Sequence, residues 1–186
     1  MEQLAAISNE RRAWIDSKHH ALRCSVELSA LYHSKRARFL TLIERVCQAV
    51  AALTATAAFS QLAGPAETSK AGQWFALAAA VASILPLVFA WSSRSNTHSV
   101  LASEHKRLLT KIVAAGEELS EPQLVAFTAE LRGIEATEGA SLGALVVHCQ
   151  NELALASGNT SSIVPLRWWH RATMQCWDWS ITLPTK

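Results

Sequence analysis

Residues 71–93 read AGQWFALAAAVASILPLVFAWSS, 23 positions without one Asp, Glu, Lys or Arg. Drawn as a helix, the stretch has no polar face: Trp74, Phe75, Leu77, Val81, Ile84, Leu85, Leu87, Val88, Phe89 and Trp91 fall on all sides. A surface helix in water keeps a charged face, whereas a helix that is apolar all round is wrapped in lipid or in protein. Trp74 and Trp91, about 25 Å apart along such a helix, suit aromatic anchors at the two interfaces of a bilayer. Pro86 is costly in a soluble helix and tolerated in a span.

Working outward, a second uncharged window precedes it. Residues 46–66 hold 21 uncharged positions, which as a helix reach about 31 Å, the thickness of a hydrocarbon core. This window is only weakly apolar: it is rich in Ala and carries Gln48, Thr54, Thr56, Ser60 and Gln61. Between Glu44 and Arg94 the only charged residues are Arg45, Glu67 and Lys70. The intervening Gly64-Pro65-Ala66-Glu67-Thr68-Ser69-Lys70 is too short for a domain, so the two windows predict a transmembrane hairpin. Lys35, Arg36, Arg38 and Arg45 flank the first window and Arg94 follows the second, against a lone Lys70 in the loop. The positive-inside bias then puts both termini in the cytosol.

The whole chain agrees with that reading. Of its 186 residues 50% are apolar and only 17% charged, where a soluble domain usually spends about a quarter on charge. The competing reading is a buried hairpin in a soluble bundle, favoured by the Ala-rich first window; a chain of this length has little protein with which to cover two nearly charge-free helices. The expected fold is therefore an all-α membrane protein, a two-helix hairpin with cytosolic helices on either side. The expected divisions are an N-terminal cytosolic helix over 1–45, transmembrane helices over 46–66 and 71–93, and an external loop at 67–70. Cytosolic helices over 94–157 and a Trp-rich tail over 158–186 complete it.

The flanking segments carry helical periodicity. No Gly or Pro occurs before Gly64, so the N-terminal helix is expected to run into the first span, with Ile7, Trp14, Ala21 and Leu28 as a seam. Leu101, Leu108, Ile112, Ala115 and Leu119 mark one face of a helix that weakens near Gly116. Ser120 and Pro122 signal a new helix start, with Leu124, Phe127, Leu131 and Ile134 on its face. Gly139 and Gly143 interrupt, and Leu142, Leu145, Cys149 and Leu153 lead to a stop near Gly158. In the tail, Pro165 opens a short helix on which Trp168, Trp169, Ala172, Cys176 and Trp179 share a broad apolar side next to Arg167, His170 and Arg171. That mixture fits a helix lying at the membrane interface, and equally a lid on the cytosolic core or a subunit interface.

Chemistry-bearing patterns are sparse. None of the seven histidines forms HxxxH or HExxH, and there is no phosphate loop, GxSxG or carboxylate pair, so neither an enzyme nor a cofactor or metal is expected. Four dispersed cysteines form no CxxC and read as reduced thiols. The polar N-terminus shows no cleavable signal peptide. A net charge of +2 without a basic stripe argues against nucleic acid. One pattern in the first span stands out: Cys47, Ala51, Thr54, Ala58 and Gln61 line up as a small and polar stripe. Such a stripe packs against another helix or lines a water path in an oligomer.

The approach Leu31-Tyr32-His33-Ser34-Lys35-Arg36-Ala37-Arg38-Phe39, the weakly apolar span, the short loop, the second span and the following Leu101-Ala102-Ser103-Glu104-His105-Lys106-Arg107-Leu108-Leu109 together resemble the SLATT family. These are the SMODS and SLOG-associating two-transmembrane effector proteins of bacteria. The resemblance runs over residues 20–155 and stops before the Trp-rich tail. It implies an inner-membrane effector of an anti-phage or other conflict system that oligomerises and perforates or depolarises the membrane. A separate sensor or signal-producing protein would trigger it. A non-conducting anchor, recruiting a partner through its cytosolic helices, is the alternative.

Overall fold

The computed structural model describes residues 2–62, 70–179 and 181, with side chains over 9–60, 70, 72–179 and 181. Among these the fold is all-helical: α1 (Glu2–Leu62), α2 (Lys70–Phe89), α3 (Trp91–Ala114), α4 (Glu121–Glu135), α5 (Gly143–Ala156) and α6 (Trp168–Thr173), with a 3₁₀ turn at Thr160–Ser162. The chain divides into two compact units, one made of Met1–Ser34 with Ser99–Lys186, the other of Lys35–His98. Helices α1 and α3 each contribute residues to both.

The N-terminal segment and the first uncharged window as far as Leu62 form one unbroken helix, as the lack of Gly and Pro before Gly64 predicts, while 63–66 lie outside the described residues. The second window behaves differently. Helix α2 ends at Phe89, and Ala90 takes φ 48°, a left-handed conformation that costs a Cβ-bearing residue about 1–2 kcal/mol. Pro86 lies one turn earlier and removes one of the backbone donors that would hold the last turn. The Ala90 carbonyl then accepts from Arg94 N at 3.0 Å, and α3 is under way. The expected span over 71–93 thus contains α2 except for its first residue, Lys70, then Ala90 and the first residues of α3. The expected loop residues 67–69 lie outside the described residues, and Lys70 already belongs to α2.

In the larger unit, a core of Leu22 and Val26 on α1, Leu108 and Ile112 on α3, Leu119, and Leu124 and Leu131 on α4 is closed by Phe127, Ile134 and Ile15. The faces read from α3 and α4 are the buried ones. Gly116, at φ 94°, follows the end of α3 where a left-handed residue is needed, and the Gln123 side chain accepts from Ser120 N at 3.0 Å at the start of α4. The seam expected on α1 needs correction. Trp14 and Ala21 are exposed, Leu28 is half-buried, and Ile7 lies outside the residues with described side chains. Ile15, Leu22 and Val26 pack in this core instead, while Leu28 packs against the cluster around Tyr32. Both registers carry apolar residues seven apart, and only the partners on α3 and α4 decide between them.

A second cluster joins Tyr32 on α1 to Leu145 and Cys149 on α5, with Leu142, Val146 and Met174 packed against it. The Tyr32 hydroxyl accepts from Leu142 N at 3.0 Å. The tail docks here. Asn151, nearly buried, exchanges two hydrogen bonds with the Val164 backbone, at 2.7 and 2.8 Å. Asp178 Oδ1 accepts from Gly143 N at 2.9 Å at the first turn of α5. A Cβ on Gly143 would stand 2.8 Å from the Trp179 carbonyl oxygen, so glycine is what permits this approach.

Candidate functional site

Along the two uncharged windows the Lys35–His98 unit is built mostly from small residues on its inner side. On α1 beyond Arg45 the buried or half-buried positions are Cys47, Ala51, Thr54, Ala57 and Ala58, whereas nearer Lys35 they include Phe39, Leu40 and Ile43; on α2 they are Gly72, Ala79, Ala82, Leu85 and Pro86. Steps of three and four put each set on one helix face. Large side chains point the other way: Leu53, Phe59, Trp74, Ile84, Leu87 and Val88 are all more than half exposed. Small residues allow close backbone approach, the pattern of helix pairs in lipid.

Hydroxyls in this unit are satisfied inside their own helices. Thr54 donates to the Val50 carbonyl at 2.7 Å, Thr56 to Ala52 at 2.9 Å, Ser60 to Ala57 at 2.8 Å and Ser83 to Ala79 at 2.7 Å. A hydroxyl bonded to its own turn costs little in an apolar medium. At the other end of the unit, buried Ser95 on α3 donates to the Ala37 carbonyl at 2.9 Å and stands 2.7 Å from the Thr41 hydroxyl. That pair fastens α3 to α1. Both α1, within Asn9–Ser60, and α2, over Gly72–Phe89, are long and apolar enough to cross a membrane.

The expected stripe therefore sits on the inner face. Cys47, Ala51 and Thr54 are half-buried and Ala58 is buried, while the Gln61 side chain lies outside the described residues. A groove of about 430 Å³ runs beside Cys47 and Val50 of α1 and Leu77, Val81, Ala82 and Leu85 of α2. Trp74 lines it as well, and the lining is apolar apart from the Cys47 thiol and the Trp74 indole N–H, which offer water few partners. Of the expected anchors, Trp74 is well exposed and Trp91 half-buried, its ring stacked on Phe89 with centroids 5.5 Å apart. The basic flank is split: Arg38, Arg45 and Arg94 are exposed, Lys35 and Arg36 half-buried.

The broad apolar side expected of the tail also needs correction. Trp169 and Trp179 are half-buried, and Trp179 Nε1 donates to the Thr173 hydroxyl at 2.8 Å. Trp168, Ala172 and Cys176 are exposed, as is Arg171, and so is Trp177. Helix α6 is only six residues long, too short to keep one face through Trp179. Its Trp residues divide between closing the module and facing solvent. Arg167 lies over the Trp169 ring, 4.6 Å from its centroid.

In the larger unit the structure assembles a group that no local spacing announced. His33 of α1, His105 of α3 and Glu138, in the turn after α4, converge. The Nε2 atoms of His33 and His105 each lie 3.2 Å from Glu138 Oε1. The two rings stack at 5.7 Å with 30° between their planes, and Tyr32 stands edge-on to His33. His105 is fully buried and His33 is 3% exposed. Burial pushes His33 below the ordinary imidazole range; Glu138 opposes that and His105 adds to it. Glu138 is placed by its backbone, whose N–H donates to the Glu135 carbonyl at 3.0 Å as α4 unwinds. One signal was present in the sequence: His105 occupies the buried face shared by Leu101, Leu108 and Ile112, an unusual place for a polar ring. What it meets there comes from two distant segments.

No protein-family model matches the chain, and no curated protein or solved structure matches it significantly.

Proposed function

We propose that the chain is a bacterial inner-membrane effector whose hairpin crosses the bilayer with both termini in the cytosol. On this reading copies associate in the membrane and depolarise it when a separate sensor or signal-producing protein acts on the cytosolic helices. The observation that carries it is the exposure of large apolar side chains around the Lys35–His98 unit, with small residues inside. Lipid is the solvent such a surface needs. Two features favour an effector over a bare anchor: the resemblance to the SLATT layout, and the continuity of α1 from its N-terminal segment into the first span. A shift in the N-terminal part of α1 has an uninterrupted helical route to the first span.

The inward placement of the Cys47–Thr54–Ala58 stripe favours the second reading, a non-conducting anchor or scaffold, because these residues then hold the hairpin together. Under the effector reading the water path forms between copies, and the stripe must change neighbours on activation. Membrane potential after inducible expression in bacteria separates the two. Prompt depolarisation, reduced by Thr54→Leu with Gln61→Leu, supports the effector. Clean membrane insertion with an unchanged potential, even when the triggering partner is co-expressed, supports the anchor.

A further inference from the structure

We propose that His33 Nε2, His105 Nε2 and Glu138 Oε1 form a site for a divalent transition metal, with Zn²⁺ the ion that fits best. The inference stands on the larger unit alone and does not depend on the hairpin crossing a membrane.

Geometry is the first argument. All three candidate ligand atoms lie within 4.8 Å of one another, and the two nitrogen–oxygen separations are 3.2 Å. Ligands held about 2.0–2.1 Å from a tetrahedral ion stand about 3.3 Å apart, so these separations already match edges of the polyhedron. Two imidazoles and one carboxylate, with a fourth position left for water, make up a donor set that Zn²⁺ accepts.

Tautomer is the second. His105 Nδ1 lies 2.9 Å from the Leu101 carbonyl oxygen. A carbonyl only accepts, so Nδ1 carries the proton, and in the neutral ring Nε2 turns a lone pair toward Glu138. This is the backing that metal-bound histidines commonly have: the outer nitrogen donates to a carbonyl and the inner one is left to coordinate.

Unmet polarity is the third. His105 Nε2 and Glu138 Oε1 are buried and 3.2 Å apart, yet their alignment is not that of a hydrogen bond, and the same carboxylate oxygen also has His33 Nε2 at 3.2 Å. Two lone pairs facing each other at that distance in a buried site repel. A cation between them converts the repulsion to attraction. The remaining exposure of the Glu138 side chain, 21%, supplies a way in. Because the ligands come from α1, α3 and the α4–α5 connection, a bound ion would cross-link the three segments.

The test uses the full-length protein in detergent, stripped with a chelator and titrated with Zn²⁺ and, separately, Co²⁺. One ion per chain, the intense visible absorption of four-coordinate Co²⁺, and affinity about ten-fold or more weaker in Glu138→Gln are expected. Zinc should also raise the thermal midpoint of the wild type and not that of the variant. A wild-type chain that takes up neither ion overturns the proposal, whether or not the variants fold. So does a weak, six-coordinate Co²⁺ spectrum, the mark of surface binding at pairs such as His148 and Glu152. Binding that survives Glu138→Gln and His33→Asn together, with helix content intact by circular dichroism, overturns it as well.

Discussion

The two units of this chain are sorted in opposite senses. In the larger one Leu22, Val26, Leu108, Ile112 and Leu145 are inside, and ion pairs such as Lys111 with Glu130, at 2.6 Å, lie outside. In the Lys35–His98 unit Ala58 and Ala82 are inside, while Leu87 is 80% exposed and Leu53 and Phe59 are each 72% exposed. Large apolar residues thus lie mainly inside one unit and mainly outside the other, Leu40 near the start of the second being an exception. Water drives large apolar groups inward in one unit. In the other they gain nothing by turning inward if lipid surrounds them, and close packing of small residues becomes the source of cohesion.

Identical substitutions should consequently have different effects in the two units. The largest expected effect is from Ile84→Asp, on the exposed face of α2: membrane insertion becomes less favourable by about 3–4 kcal/mol, read as loss of protein from the membrane fraction. Val125→Asp, at a comparably exposed site on α4, should change stability by no more than about 0.5 kcal/mol. Equal tolerance at both positions would break the comparison. Next comes Leu108→Ala, which leaves a cavity in the larger unit's core and should cost about 3 kcal/mol in denaturant unfolding. Ala82→Leu inverts the logic by adding volume where the apolar unit is tightest, and should cost about 2 kcal/mol through forced separation of the helices. If Ala82→Leu were neutral, small-residue packing would not be what holds this unit. Somewhat smaller than these losses is that of Asn151→Ala, which removes both hydrogen bonds to Val164; about 1–2 kcal/mol, with faster proteolysis after Ile163, is expected.

What was legible in the sequence follows the range over which each signal acts. The charge-free windows, the unbroken α1, the buried faces of α3 and α4, and the stops at Gly116 and Gly158 depend on composition or on neighbours within two turns. Each could be read one residue at a time. The register of α1 could not, since Trp14 and Ile15 both begin plausible seams and the choice belongs to Leu108, Ile112 and Leu124. Nor could the break at Ala90, where alanine adopts a conformation its own propensity disfavours. The His33–His105–Glu138 group is the clearest case: its three members share no local pattern, and only the packing of α1 against α3 and the turn after α4 brings them together. The tail lay between these extremes. Its Trp and Arg content was plain, but which rings turn inward depends on Gly143 and Asn151 of α5.

The central claim is that lipid surrounds the Lys35–His98 unit. Alkaline carbonate extraction of membranes from expressing bacteria, with protease applied from the cytosolic side, tests it most directly. The account predicts that the protein stays with the membrane pellet while the helices before Lys35 and after His98 are cleaved, leaving a protected fragment that holds α2. Release of the intact chain into the soluble fraction would contradict it, and the exposed apolar surface would then have to be covered by protein.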